Sequence, residues 1–155
     1  MLNIQYDQIQ KLKVHAEKTY PEECCGLLVG KISGESKTLI DVKPTDNSWD
    51  QQTADQFMTI NSSQWRSSSK ASSFSIAPIV LLKAQKDARD RQLDIIGIYH
   101  SHPDHQAIPS EFDRAIAWQR YSYIIISVQQ GKAGELKSWR LDDNHQFQLE
   151  EMLIV

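Results

Sequence analysis

The chain has 155 residues, of which 40% are hydrophobic and 24% charged, and a formal net charge of −3; that length suits one domain with a real core and is short for two. The acidic balance and the lack of a long Lys/Arg run exclude the electrostatic footprint of a nucleic-acid binder. No apolar run approaches the roughly 18–20 residues that span a bilayer, and "MLNIQYDQIQ" lacks the basic-then-apolar pattern of a secretory signal.

In chain order, residues 7–19 read as a helix, with Asp7 as cap, Gln10 three residues on, and Ile9, Leu12 and Ala16 on one face. Pro21 stops it. "CCGLLVGKI" reads as a buried strand, "KISGESKT" as a turn, and "TLIDVKP" as the returning hairpin strand. Cys24 and Cys25 are the two cysteines. Neighbouring Cα atoms lie about 3.8 Å apart, closer than the ~4.4–6.8 Å usual for a disulfide, so reduced, partly buried thiols in a reducing cytoplasm are expected.

From Asn47 to Ile76 the composition shifts to nine serines. This reads as an inserted loop, mobile in its second half, with "QFMTI" as a short strand inside it. "SIAPIVLLKAQKDARDRQ" reads as a second helix, capped by Ser75, with Pro78 in its first turn and Ile79, Leu82 and Ala88 facing inward. "LDIIGIY" is a strand that runs into His100, and a short helix starts at Ser110. "YSYIIISVQ", "GKAGE" and "LKSWRLDD" read as strand, turn and strand, and "QFQLEEMLIV" as a final strand. Residues 1–155 therefore read as one mixed α/β domain with hairpins at both ends and a strongly curved central sheet.

The chemistry concentrates in "YHSHPDHQAIPSEFD", Tyr99 to Asp113. On a strand, residues i and i+2 share a face, so His100 and His102 converge on one point. Neutral imidazoles bind Zn²⁺, and a catalytic zinc takes three protein ligands and keeps one position open. Asp113, one turn into the following helix, supplies a third ligand. Two His and one carboxylate also suit Fe(II). "SEFD" is at the same time a capping-box pattern with Ser110 as cap. Capping does not explain two same-face histidines ending an apolar strand. Asp104, His105 and Glu111 compete as ligands and rank lower; His105 follows Pro103 in the loop and has no fixed relation to the strand face. A hydrolytic site also wants a carboxylate that moves protons. Glu22 and Glu23 are the candidates, and spacing does not choose between them. Ser101, between the histidines, points to the other face and reads as structural.

"HSHP", seven residues from Pro103 to Pro109, then "SEFD" resembles the motif of the JAMM (MPN-plus, JAB-domain) zinc metalloproteases. The family's glutamate just before a "CG-L--G" strand matches "ECCGLLVG", which selects Glu23. The resemblance runs from about Glu23 to Trp139 and is to the compact stand-alone bacterial type. It implies a curved mixed sheet flanked by helices, of the cytidine-deaminase-like JAB/MPN fold. It implies Zn²⁺ held by His100, His102 and Asp113, Glu23 as the proton shuttle, and Ser110 beside the oxyanion. The implied activity is a cytoplasmic peptidase or isopeptidase that cleaves an amide bond after the C-terminal tail of a ubiquitin-like or sulfur-carrier protein. The His/Cys cluster of the eukaryotic deubiquitinases is missing. A non-catalytic MPN-type scaffold is the alternative; such proteins typically lose ligands that this sequence keeps. A cytidine deaminase is disfavoured because no P-C-x-x-C is present. Trp49, Phe57, Trp65 and Phe74 in the Ser-rich stretch either anchor a partner's tail or, as is favoured here, pin the loop to the body.

Overall fold

The computed structural model describes residues 1–50 and 69–155. The order is β1 (Leu2–Ile4), α1 (Tyr6–Thr19), β2 (Cys25–Ser33), β3 (Ser36–Thr45), α2 (Pro78–Asp90), β4 (Asp94–Pro103), α3 (Glu111–Ile116), β5 (Ser122–Gln129), β6 (Lys132–Leu141), β7 (Phe147–Glu150) and β8 (Met152–Ile154). The eight strands form one mixed sheet in the order β7-β6-β5-β4-β2-β3-β1-β8. Strands β7 and β8 stand at opposite ends of that order, yet only Glu151 separates them in the chain. Leu2 N donates to the Glu151 carbonyl at 2.9 Å. The sheet must therefore curl until its two ends adjoin. The expected mixed α/β domain with a curved, helix-flanked sheet is what the structure shows. Among the described residues no helix is long and apolar enough to cross a membrane.

Strand alternation divides the core between two faces. Leu28, Ile96, Tyr99, Ile124 and Ile126 pack with Leu12 and Ala16 of α1. Leu27, Val29 and Ile95 pack with Ala84 and Ala88 of α2 on the other side. Strand β4 changes phase on the way. Val29 pairs with Ile95 and Leu28 with Gly97, which leaves Ile96 as an extra residue. Such a bulge shifts every later side chain by one position. Ile96 therefore joins the α1 cluster, whereas Ile98 joins the clusters of the α2 side. His100 and His102 follow Ile98 onto that face.

Several elements differ from the sequence reading. Strand β1 was not expected; three residues show no period, and pairing with β3 and β8 creates it. Helix α1 is capped by Gln5 in a reciprocal box with Gln8, in place of Asp7 with Gln10. Helix α2 starts at Pro78, with Ala77 in the cap position where Ser75 was expected. Its inward face carries Ala84 and Ala88, while Ile79 and Leu82 are 60% and 61% exposed. Small residues let the helix lie close to the sheet, and the phase they set turns the larger ones outward. The β5–β6 turn is Gln130–Gly131, both at positive φ, a two-residue hairpin geometry; most of "GKAGE" is already strand β6. "QFMTI", Phe57 and Trp65 lie outside the described residues. Trp49 and Phe74 are 2% and 4% exposed and pack with Cys25 and Phe112, pinning the chain to the body as favoured.

Gly97 lies opposite Ser122 in the parallel β4–β5 pair. A Cβ there would overlap the Ser122 carbonyl oxygen, a backbone atom that cannot swing aside. We predict that Gly97→Ala lowers unfolding free energy by about 1–3 kcal/mol, the usual cost of overpacking. Urea denaturation measures it, and an unchanged midpoint would show that the two strands can separate freely.

Candidate metal centre

The site forms where β4 ends. His100 and His102 are 1% and 7% exposed and project from the same face. Their Nε2 atoms lie 3.2 Å apart. Asp113 reaches back from the first turn of α3: its Oδ1 is 3.1 Å from His100 Nε2 and its Oδ2 is 3.0 Å from His102 Nε2. Oδ2 also accepts the Ser110 backbone N–H at 2.8 Å, while Ser110 Oγ accepts the Asp113 N–H at 3.1 Å. The capping box and the carboxylate–imidazole cluster are thus one structure. The capping reading of "SEFD" holds, and its carboxylate also faces both imidazoles.

Each imidazole is held differently. His102 Nδ1 lies 2.9 Å from the Gln106 carbonyl oxygen. A carbonyl only accepts, so Nδ1 carries a proton, and Nε2 is the ring atom that faces Asp113. His100 is fixed by packing: Phe74 stacks on its ring at 4.5 Å. Its Nδ1 is buried without a hydrogen-bond partner. Burial lowers the His100 pKa, against the pull of Asp113. Burial also opposes charge on His102, but there the hydrogen bond and charge of Asp113 win and raise its pKa. Burial alone would raise the Asp113 carboxyl, yet the two histidines hold it far below the carboxylate range.

Glu23 stands at the mouth of β2, only 4% exposed. Its Oε1 is buried with no hydrogen-bond partner, and burial and the Asp113 charge push its carboxyl well above the usual range. Glu22 is exposed. The Glu23 carboxylate and the two imidazoles offer ligand atoms that all lie within 4.8 Å of one another. Two acidic partners therefore compete for the histidines. The Asp113 oxygens lie nearer the imidazoles, at 3.0–3.1 Å. Ligand atoms 2.0–2.1 Å from a tetrahedral zinc lie about 3.3–3.4 Å from each other. The three separations among His100 Nε2, His102 Nε2 and the Asp113 oxygens, 3.0–3.2 Å, come close to such an edge. Two imidazoles and a carboxylate gathered at one buried point are a donor set of the kind that fits zinc.

Two of the competing ligands are engaged elsewhere. Asp104 accepts the Tyr20 hydroxyl at 2.7 Å and the Gln130 N–H at 2.8 Å, which anchors the loop. Glu111 pairs with Arg114 on the surface. His105 is exposed and its carbonyl accepts from Ser127 Oγ at 2.6 Å. A groove of about 700 Å³ opens on the cluster, lined by Glu23, Ser72, His102, His105, Ile108 and Ser110. Cys24 and Cys25 are buried and unpaired with each other; burial pushes their thiols up to about 12 and about 11. Sequence reasoning missed Gln106, which acts through its main chain and leaves no residue-type signal, and the stacking of Phe74.

A curled sheet of this strand order with helices on both faces is the JAB/MPN architecture. The chain belongs to the prokaryotic homologs of the JAB domain, whose family model matches residues 7–142. It is 25% identical over 144 residues to proteins named CysO-cysteine peptidase from Mycobacterium tuberculosis and Mycobacterium bovis, covering 92% of this chain and 84% of theirs. A solution structure of a protein from Desulfitobacterium hafniense is similar over 100% of this chain and 93% of its own, with a TM-score of 0.78 and 29% identity. One from Salinibacter ruber covers 100% and 92%, with a TM-score of 0.68 and 25% identity. A JAB1/MPN domain protein from Archaeoglobus fulgidus, 15% identical with a TM-score of 0.54 over 99% and 97%, shares the fold. Family and named relatives support a peptidase-type function.

Ser101 ties this site to the neighbouring strand. Its Oγ accepts the buried Cys24 N–H at 2.8 Å, and its own N–H donates to the Cys24 carbonyl at 3.1 Å. Ser101→Ala strands the Cys24 amide in an apolar setting. Thermal or chemical unfolding should show a loss of about 1–3 kcal/mol; a neutral result would mean that this amide finds another partner.

Proposed function

We propose that this protein is a zinc-dependent peptidase that hydrolyses an amide bond after the C-terminal tail of a ubiquitin-like or sulfur-carrier protein. The observation that carries the reading is the pairing of two different carboxylates with one histidine pair. Asp113 lies at ligand spacing from both imidazoles. Glu23 is buried beside them, free of hydrogen bonds at Oε1, and open to the groove. A ligand must be tied down and a proton shuttle must not be. His100, His102 and Asp113 would hold the metal. When bound, zinc supplies Lewis acidity toward the scissile carbonyl and lowers the pKa of water from 15.7 to about 7.

The chain's own residues do the rest. Glu23 accepts a proton from the attacking water and passes it to the leaving nitrogen as the C–N bond breaks. Ser110 lines the groove. Its hydroxyl oxygen accepts from the Asp113 amide, which leaves its O–H to donate to the developing oxyanion. The groove would take the tail, and the mycobacterial relatives' name supports the sulfur-carrier class. A cysteine leaving group is consistent with that name. Buried, unpaired thiols at Cys24 and Cys25 fit a reducing cytoplasm.

The test is cleavage of a sulfur-carrier protein extended at its C-terminus by cysteine, followed by mass spectrometry of the zinc-loaded enzyme. The wild type should release the extension. Glu23→Gln should lower kcat by roughly 10²–10⁴ and Ser110→Ala by about 10²–10³, both without loss of fold. Equal turnover in wild type and Glu23→Gln would remove the shuttle role, and with it the mechanism.

A further inference from the structure

Glu23 precedes β2, which begins at Cys25, so ladder hydrogen bonds do not fix its position. Its backbone is held by other means. Glu23 N donates to the Lys70 carbonyl at 2.7 Å. The Glu23 carbonyl accepts from Asn47 Nδ2 at 3.1 Å. The same Nδ2 donates to the Ser73 carbonyl at 3.0 Å. Asn47 Oδ1 accepts the Trp49 N–H at 3.0 Å and the Ser75 N–H at 3.2 Å. Three carbonyls, those of Glu23, Ser73 and, at 3.5 Å, Lys70, face the amide nitrogen and two N–H groups face the oxygen, so the orientation of the side chain is fully determined.

We propose that Asn47 is a positioning residue for Glu23. It does not line the groove, and it acts through what it holds. Ser73 and Ser75, both bound by Asn47, flank Phe74, whose ring stacks on His100. One amide therefore fixes the main chain under the proton-shuttling carboxylate and also the wall that orients a ligand imidazole. The requirement is specific to an amide. Aspartate keeps the two accepted bonds, so the 47–49 turn and the wall stay tied. It has no proton for the Glu23 carbonyl and sets an acceptor against it. Alanine loses all five bonds.

The kinetic part of this inference rests on the zinc-peptidase reading; the structural part does not. The experiment compares wild type, Asn47→Asp and Asn47→Ala, each loaded with zinc. Amide hydrogen exchange of the peptide spanning Glu23 and Cys24 should quicken by about tenfold or more in both variants, while Ile124–Ile126 in the core stays protected. With the cysteine-extended carrier protein, kcat should fall by about 100-fold, the cost of an ångström-scale misplacement. KM should stay within about twofold, and zinc stoichiometry should not change. If Asn47→Ala does not fold, Asn47→Asp decides alone. Full kcat in Asn47→Asp, a rise in KM with kcat intact, or unaltered exchange at Glu23 each overturns the proposal. A wild type that binds zinc and cleaves nothing overturns the peptidase reading instead, and the exchange arm then decides whether Asn47 anchors Glu23.

Discussion

The carboxylate of Asp113 is the constraint on which the rest of the site depends. One oxygen closes the first turn of α3 and faces His102, and the other faces His100. Helix capping alone is worth about 0.5–2 kcal/mol. Holding two buried imidazoles against one carboxylate is a larger electrostatic commitment, since an unpaired buried charge costs several kcal/mol. The short helix is therefore placed by its site as much as by its own propensity; six residues are too few to be stable alone. Everything else serves to bring β4 and α3 to this one point.

The sheet does so through two local departures from regularity. The extra residue at Ile96 turns His100 and His102 to the α2 side of the sheet. Gly97, directly after it, lets β4 approach the Ser122 carbonyl of β5 without a side chain between. Beyond the bulge the strand is regular: Cys25 pairs with His100, and Ser101 binds the Cys24 backbone. Glu23 is thereby carried to the histidines from a part of the chain more than seventy residues distant. The loop that follows β4 is pinned by Asp104, Ser127 and Gln129, so the groove has a fixed wall on that side.

Much of this was legible in the sequence, for identifiable reasons. The i, i+2 histidines, the Ser110–Asp113 spacing and the long apolar strands obey local rules that hold in any fold. The choice between Glu22 and Glu23 did not follow from spacing and came from the family resemblance; their opposite exposures agree with it. What stayed hidden depends on tertiary contact. The bulge at Ile96 is set by pairing with β2. The phase of α2 is set by close packing of Ala84 and Ala88, so its larger apolar residues misled the reading of its inner face. Strand β1 exists only because β3 and β8 flank it. Main-chain partners, such as the Gln106 carbonyl that fixes the His102 tautomer, carry no signature in residue type.

The central claim is that Asp113 is a metal ligand and Glu23 is not, although both carboxylates lie near the same histidines. Zinc stoichiometry by elemental analysis, after dialysis against a weak chelator, tests it most directly. The account predicts about one zinc per chain in the wild type and in Glu23→Gln, and loss of that zinc in Asp113→Asn, in keeping with three protein ligands and an open position. Zinc retained by Asp113→Asn and lost by Glu23→Gln would contradict it and exchange the roles of the two carboxylates.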